Sequence, residues 1–280
     1  MRNDRKRPLW LSVSALYVTA LLATVFAFII FCAVEGLFMS GPTLFTSTWA
    51  PEEQRFGILP MIAATAALSL SALALGWIVA LGCLCHIHGF GGKISASLLS
   101  SLLRIMTATP TVVYGFASVF LLVPLIRGAL GGSGFSWLTA TLALALLITP
   151  TMVLAMEGAV TQVAEGSRLT AASLGFSRSE HFVFVVLPAS GRWLRAAALL
   201  GFGRAAGDTM IPTMLAGNAV QYPLSPLDAI RTLTAHIGLV LSSDVGGTAY
   251  YSLFVAGGLL LALSVGANLL FRSVRRRGKL

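Results

Sequence analysis

The sequence contains few charged residues for its length. Only 10% of its 280 residues are charged, and 56% are hydrophobic, with a mean hydropathy of +0.86. A soluble domain carries about 25% charged residues. Because so few polar groups could not cover a globular surface, the composition excludes one large soluble core. It indicates an integral membrane protein.

Cysteines are also scarce. The sequence has three cysteines, Cys32, Cys83 and Cys85. An odd number of this kind gives no disulfide framework. Cys83 and Cys85 lie in the stretch CLCHIH with His86 and His88, which are residue types that bind zinc. The stretch has no second ligand cluster, and small polar residues at a membrane interface account for it. We therefore predict no metal site.

The sequence lacks the motifs of an enzyme. It contains no GxxxxGK[ST] phosphate loop and no nucleophile–base arrangement. We expect a chain that is not an enzyme and binds no cofactor itself. If the protein transports actively, the energy must come from a partner or from an ion gradient.

Long apolar runs are abundant. A helix needs roughly 20 apolar residues to cross the hydrocarbon core, and six stretches qualify. They predict an all-α, polytopic transmembrane domain over residues 11–271. The third predicted helix either begins at Pro110 or extends backwards through Leu98–Met106. The predicted helices are Leu11–Leu37, Leu59–Leu84, Pro110–Ile126, Trp137–Ala159, Leu194–Leu215 and Tyr250–Phe271.

The basic residues predict the orientation. They cluster in two tails, residues 1–10 and 272–280, and in loops on the side that the tails share, whereas the other side holds only Arg55, Arg127 and Arg231. Lys and Arg favour the cytoplasmic side of a membrane. Both termini are therefore predicted to be cytoplasmic. This placement of the net charge of +9 argues against a nucleic-acid partner.

The loop 160–192 is predicted to form a helical hairpin on the cytoplasmic side. Gly175 fits a helix C-cap, where a left-handed backbone is needed. Ser177 and Glu180 form an S-x-x-E capping box that starts a second helix. Its apolar side chains fit either a docking partner or the lipid headgroups, and the pattern leaves both open.

This hairpin resembles the EAA loop of ABC-transporter permeases. Gly175 matches the glycine of that pattern, and Leu187-Pro188, expected to end the second helix, matches its LP. Leu169 stands where the pattern has its glutamate. The resemblance implies that the loop docks an ATPase through Ala171, Ala172, Gly175, Phe176, Ser177, Glu180, Leu187 and Pro188.

One apolar stretch, GFGRAAGDTMIPTM at residues 201–214, retains two charges. Arg204 and Asp208 are four residues apart and would share one face of a continuous helix. Gly203 and Gly207 form a G-x-x-x-G pair that would let another helix approach closely. Charges inside a membrane mark a substrate path, or here a self-neutralising pair that fixes helix packing.

The same stretch is similar to the GRAxGET helix of the phosphate-specific transport (Pst) permeases, with Asp208 in place of the glutamate. The resemblance implies the type I ABC importer permease fold and a substrate path formed by Arg204, Asp208, Thr209 and Thr213. Arg204 would bind the oxyanion through its planar fork. Asp208 would hold Arg204 and accept a hydrogen bond from protonated phosphate, which sulfate cannot donate.

The resemblance also implies partners and a location. It implies a bacterial inner-membrane permease that forms its path with a homologous permease and docks an ABC ATPase dimer, which holds ATP and Mg²⁺. Phosphate would arrive from an extracytoplasmic binding protein. Other possibilities remain open: a permease for molybdate, tungstate or phosphonate, a secondary transporter that uses Arg204 and Asp208, or a membrane scaffold. Which of the two Pst permease subunits the chain resembles more is also open.

Overall fold

The computed structural model describes residues 9–40, 44–53, 55–241 and 248–276. These residues form a helical bundle with one two-stranded antiparallel ribbon, β1 (Trp49–Ala50) and β2 (Arg55–Phe56). The helices are α1 Leu9–Ser40, α2 Leu59–Cys85, α3 Lys93–Ala108, α4 Thr111–Leu130, α5 Trp137–Ser173, α6 Arg178–His181, α7 Leu187–Ala189, α8 Gly191–Gly207, α9 Met210–Leu215, α10 Leu233–Leu241 and α11 Thr248–Arg276.

The predicted all-α membrane architecture is confirmed. In the described part of the chain, five helices are long and apolar enough to cross a bilayer, and the number rises to six if the bent pair Arg178–Ala189 and Gly191–Gly207 is one span. Most of the predicted basic tails, residues 1–8 and 277–280, lies outside the described residues. The orientation therefore stays a prediction.

The third predicted span does not extend backwards as one helix. A separate helix, α3, ends at Ala108, and Thr109 takes an extended backbone with ψ 128°. The cause is Pro110, because a proline keeps the residue before it out of the helical region. The Tyr114 hydroxyl donates a hydrogen bond of 2.7 Å to the carbonyl of Met106 and so bridges the break.

The prediction of one continuous helix over Leu194–Leu215 is wrong. Helix α8 ends at Gly207, Asp208 is extended (φ −72°, ψ 132°), and α9 begins at Met210. The Asp208 carboxylate accepts a hydrogen bond of 2.9 Å from the amide of Ile211. Short polar side chains compete in this way with the helical hydrogen bonds of the backbone.

The sequence predicts a helix over Gln162–Leu174 as the first part of the hairpin, and the structure joins it to the predicted span Trp137–Ala159 in one continuous helix, α5, which ends at Ser173. One predicted helix end near the 160–192 loop is wrong. The second hairpin helix does not stop at Leu187-Pro188. It runs from Arg178 through a π-helical turn to Ala189, because Pro188 lies in the first turn of α7, where a proline is tolerated.

Helix α5 is the centre of the bundle. In its most apolar stretch 67% of the residues are buried, against 6% in α1. A Cβ added at Gly76 of α2 would lie 3.0 Å from Ile148, and one added at Gly201 of α8 would lie 2.5 Å from the sulfur of Met152. Glycines therefore let α2 and α8 pack closely on α5, as small residues do between membrane helices.

Two glycines of α8, Gly201 and Gly203, should respond differently to substitution by alanine. Gly201→Ala would press on Met152, and overpacking of this kind lowers stability by about 1–3 kcal/mol. Gly203→Ala meets open space within the chain and replaces a poor helix former. We expect the free energy of unfolding of the detergent-purified chain to fall for the first variant only. Equal losses in denaturant titrations would contradict this packing.

Candidate functional site

Arg204 lies in the last turn of α8 and faces a membrane-level cavity. The cavity measures about 410 Å³ between α5, α8 and α11, and Thr151 and Ser264 also line it. Within the described residues, the buried Nε atom of Arg204 has no hydrogen-bond partner. Arg204 is half-buried and lines this cavity without an ion pair to a carboxylate among the described residues.

Arg204 and Asp208 do not form the predicted pair. The ion pairs among the described residues are Arg55–Glu53 and Arg104–Glu157. Asp208 is the C-cap residue of α8, one turn after Arg204, and the two charges still interact at a longer range than an ion pair. The Asp208 carboxylate caps α9, and the Asp208 carbonyl accepts a 2.8 Å hydrogen bond from the Thr234 hydroxyl.

The two predicted threonines lie at α9, beyond the break. The Thr213 hydroxyl donates a 2.6 Å hydrogen bond to the carbonyl of Thr209, so its hydrogen is used within the helix. The Thr213 carbonyl in turn accepts a 2.7 Å hydrogen bond from the side chain of Asn218. The bond to Asn218 ties Thr213 to the loop that follows α9. Arg204 lies before the break, in α8, and lines the cavity there.

Sequence reasoning missed the two hydroxyls beside Arg204. Thr151 comes from α5 and Ser264 from α11, and each is one of many Ser and Thr residues in apolar spans. Neither has a motif around it that singles it out. Only the packing of three helices brings these side chains to the cavity that Arg204 also lines.

Gly203 and Gly207 face open space. A Cβ added at either position would meet no atom of the described chain within 4 Å. Gly203 also lines the cavity of Arg204. The predicted role of this pair in helix packing therefore has no counterpart among the described residues, and a second protein would have to supply the facing helix.

The predicted hairpin turn is confirmed. Gly175 has φ +80°, and the capping box of Ser177 and Glu180 is complete, with the Ser177 amide 2.8 Å from the Glu180 carboxylate. Hydrogen bonds from the Ser177 hydroxyl and amide lower the pKa of the Glu180 carboxyl. The turn and the start of the second helix are therefore fixed by local sequence.

The residues predicted to dock an ATPase differ in exposure. Ala171 is buried in the hairpin, whereas Ala172, Phe176, Ser177, Glu180 and Pro188 are exposed or nearly so. Leu174 and Phe184, which the prediction left out, expose 70% and 67% of their surface. Large exposed apolar side chains on a loop between spans form the kind of patch that marks a protein contact.

Comparisons with known proteins identify the family of the chain. Residues 78–279 match the family described as Binding-protein-dependent transport system inner membrane component. The chain is 30% identical over 278 residues to the Probable ABC transporter permease protein YqgH of Bacillus subtilis, covering 92% of this chain and 87% of that one. It is 24% identical over 291 residues to the Phosphate transport system permease protein PstC of Pasteurella multocida, covering 95% and 91%.

A solved structure shows the same fold. The chain resembles one chain of the inward-facing MetNI methionine ABC transporter with a TM-score of 0.62 at 15% identity, covering 82% of this chain and 99% of that chain. At this identity the likeness concerns the fold alone. It bears out the predicted type I ABC importer permease fold.

Substitutions at Asp208 separate its capping role from its charge. Asp208→Ala removes the hydrogen bond to the Ile211 amide and should lower the free energy of unfolding by about 1 kcal/mol, the usual cost of a lost cap. Asp208→Asn keeps an oxygen that can accept this bond, so its stability should stay near that of the wild type. Denaturant unfolding of the two purified variants measures the difference. A similar loss in both would show that Asp208 stabilises through its charge.

Proposed function

Because the chain belongs to the family of binding-protein-dependent transport system inner membrane components, we propose that it is the permease subunit of an ATP-driven importer of inorganic phosphate. It is a multi-pass inner-membrane transport subunit and not an enzyme. An ATPase and a binding protein are separate partners in such systems. Similarity to a PstC protein over 95% of the chain supports phosphate as the substrate.

The observation that carries this proposal is a half-buried arginine, Arg204, that lines a cavity. Among the described residues it forms no ion pair with a carboxylate. An incoming oxyanion would complete its hydrogen bonds. The planar fork of arginine suits phosphate because it donates two parallel hydrogen bonds, and the hydroxyls of Thr151 and Ser264 line the same cavity.

Asp208 has a different role from the one predicted. Its carboxylate is engaged at the start of α9 and does not hold Arg204, which leaves the positive charge of Arg204 to the substrate. If phosphate passes Asp208 after Arg204, this carboxylate would disfavour sulfate, because sulfate has no proton to donate to it at neutral pH. Asp208 would thus combine a structural cap with selection for protonated phosphate.

The remaining partners follow from the exposed surfaces. We propose that a homologous permease covers the glycine face of α8, and that two ATPase subunits, holding ATP and Mg²⁺, dock to this permease pair through the 160–192 hairpins. A phosphate-binding protein would deliver substrate from outside the cell, with both termini of this chain in the cytoplasm. This chain would bind no cofactor itself.

A bulky residue on the glycine face should block assembly. Gly207→Leu fills the open space beside α8 and should prevent co-purification of the second permease. The stability of the single chain should stay unchanged, because no described atom lies near a Cβ at Gly207. Gly266→Leu is the matched control, since Gly266 also meets open space but lies on α11. Equal recovery of the partner with both variants would remove α8 from the interface.

Uptake of labelled phosphate into vesicles tests the function directly. The vesicles contain this chain, its partner permease, the ATPase and the binding protein. We expect uptake that requires ATP, ignores a sulfate competitor and falls about tenfold or more in Arg204→Lys, since a hydrogen bond to a charged group contributes about 1.5–3 kcal/mol. Arg195→Lys, an exposed arginine of the same helix, serves as the control.

Other results would redirect the proposal. Wild-type uptake of molybdate, tungstate or phosphonate instead of phosphate would move the substrate to another oxyanion. Uptake without ATP would indicate a secondary transporter. Phosphate uptake that Arg204→Lys leaves unchanged would make Arg204 a packing residue.

A further inference from the structure

The junction between α2 and α3, residues 86–92, ends a membrane helix with carbonyls that need partners. The last carbonyls of a helix have no amide ahead of them to accept from. Here a π-helical turn lets the Gly91 amide bond the His86 carbonyl at 2.7 Å, and the chain then changes direction at Gly91 and Gly92. The carbonyls of Ile87 and His88 are left without helical donors.

Arg178, in the first turn of the hairpin helix Arg178–Ala189, supplies these donors. Its Nη2 lies 2.9 Å from the Ile87 carbonyl, its Nε 3.0 Å from the His88 carbonyl and its Nη1 3.3 Å from the Gly91 carbonyl. One guanidinium therefore caps the end of α2 from a helix about 90 residues later in the chain. The planar fork makes this possible, since it presents several donors in a fixed geometry.

Neighbouring contacts extend the same connection. The Ser179 hydroxyl donates a 3.0 Å hydrogen bond to the Gly89 carbonyl. The Phe182 ring packs against Gly89, where an added Cβ would lie 3.0 Å from the ring. The same ring lies nearly parallel to the His88 ring, with 6.2 Å between the ring centroids and an interplanar angle of 11°. Polar and apolar contacts thus join the hairpin helix and the α2–α3 junction over one continuous surface.

The position of Arg178 in its own helix makes local stabilisation a poor explanation. A cation in the first turn lies near the positive end of the helix dipole and is disfavoured there. In the described chain, Arg178 forms no ion pair with an acidic residue. Its hydrogen bonds instead go to the α2–α3 junction, so the favourable contact is the one made with the transmembrane helices.

We propose that Arg178 is a positioning residue that makes the α2–α3 junction move with the hairpin helix when the ATPase changes state. This proposal rests on the proposed function only in that an ATPase docks to the hairpin, and it does not depend on phosphate as the substrate. Movement of the hairpin reaches α8 through the chain itself. Arg178 adds a second route, which reaches α2 and α3 across the fold.

Distance measurement by pulsed electron resonance tests the proposal in the complex of this chain with its partner permease and ATPase. Spin labels replace two exposed residues, Ser97 of α3 and Ala189 of the hairpin helix, after Cys32, Cys83 and Cys85 are changed to alanine. The distance is measured without nucleotide and with ATP. In the wild type we expect the same distance in both states, because the two segments move together.

In the Arg178→Ala variant the distance between the two spin labels should no longer be the same with and without ATP. We expect its Ser97–Ala189 distance to differ between the two nucleotide states and phosphate transported per ATP hydrolysed to fall about tenfold, within the usual range of coupling between separated sites. Basal ATP hydrolysis should remain, because the docking residues are intact. Arg195→Gln is the control, since this exposed arginine of α8 makes no hydrogen bond to the junction among the described residues. Arg178→Lys replaces the alanine variant if that one does not assemble.

Two outcomes would overturn the proposal. One is a wild-type distance that changes with nucleotide, because the junction would then move independently of the hairpin. The other is an Arg178 variant with a constant distance and normal coupling. A wild-type complex that imports no phosphate would refute the proposed substrate, but the distances between nucleotide states would still decide the role of Arg178.

Discussion

Backbone groups within a bilayer need hydrogen-bond partners from the protein, and this requirement governs the chain at each place where a helix stops. Lipid supplies no donor or acceptor, so an interruption persists only where side chains or other segments satisfy the freed groups. The Tyr114 hydroxyl bridges the break before α4, and the Asp208 carboxylate caps α9. Outside the predicted spans, the exposed Arg178 donates to carbonyls at the end of α2 from a distant part of the sequence. The breaks are therefore supported positions in the fold.

The break at Asp208 also determines the electrostatics of the candidate path. In a continuous helix the Ile211 amide would bond a carbonyl one turn earlier, and the Asp208 carboxylate would be free to pair with Arg204. The extended backbone at Asp208 engages the carboxylate with the Ile211 amide of α9 instead. Arg204 lines its cavity without an ion pair among the described residues, although the two charges still interact at longer range.

The hairpin combines local and long-range determinants. Its turn depends on Gly175 and its helix start on Ser177 and Glu180, all close together in the sequence. Its attachment to the bundle depends on Arg178 and Phe182, which contact a segment far away in sequence. The first set gives the loop its shape, and the second decides which membrane helices respond when that loop is moved.

The sequence by itself determined the membrane class, the approximate spans and the hairpin turn. These features depend on composition, on the length of apolar runs and on caps formed by residues three or four apart. It did not determine the break at Asp208, the continuity of α5 across Ala159 or the grouping of Thr151, Ser264 and Arg204 around one cavity. The break combines a local hydrogen bond from the Ile211 amide to Asp208 with one from the distant Thr234 hydroxyl. Tertiary structure decided the grouping, because α5 and α11 bring their hydroxyls to the cavity that Arg204 lines. Spacing along one helix cannot reveal a partner that only packing supplies.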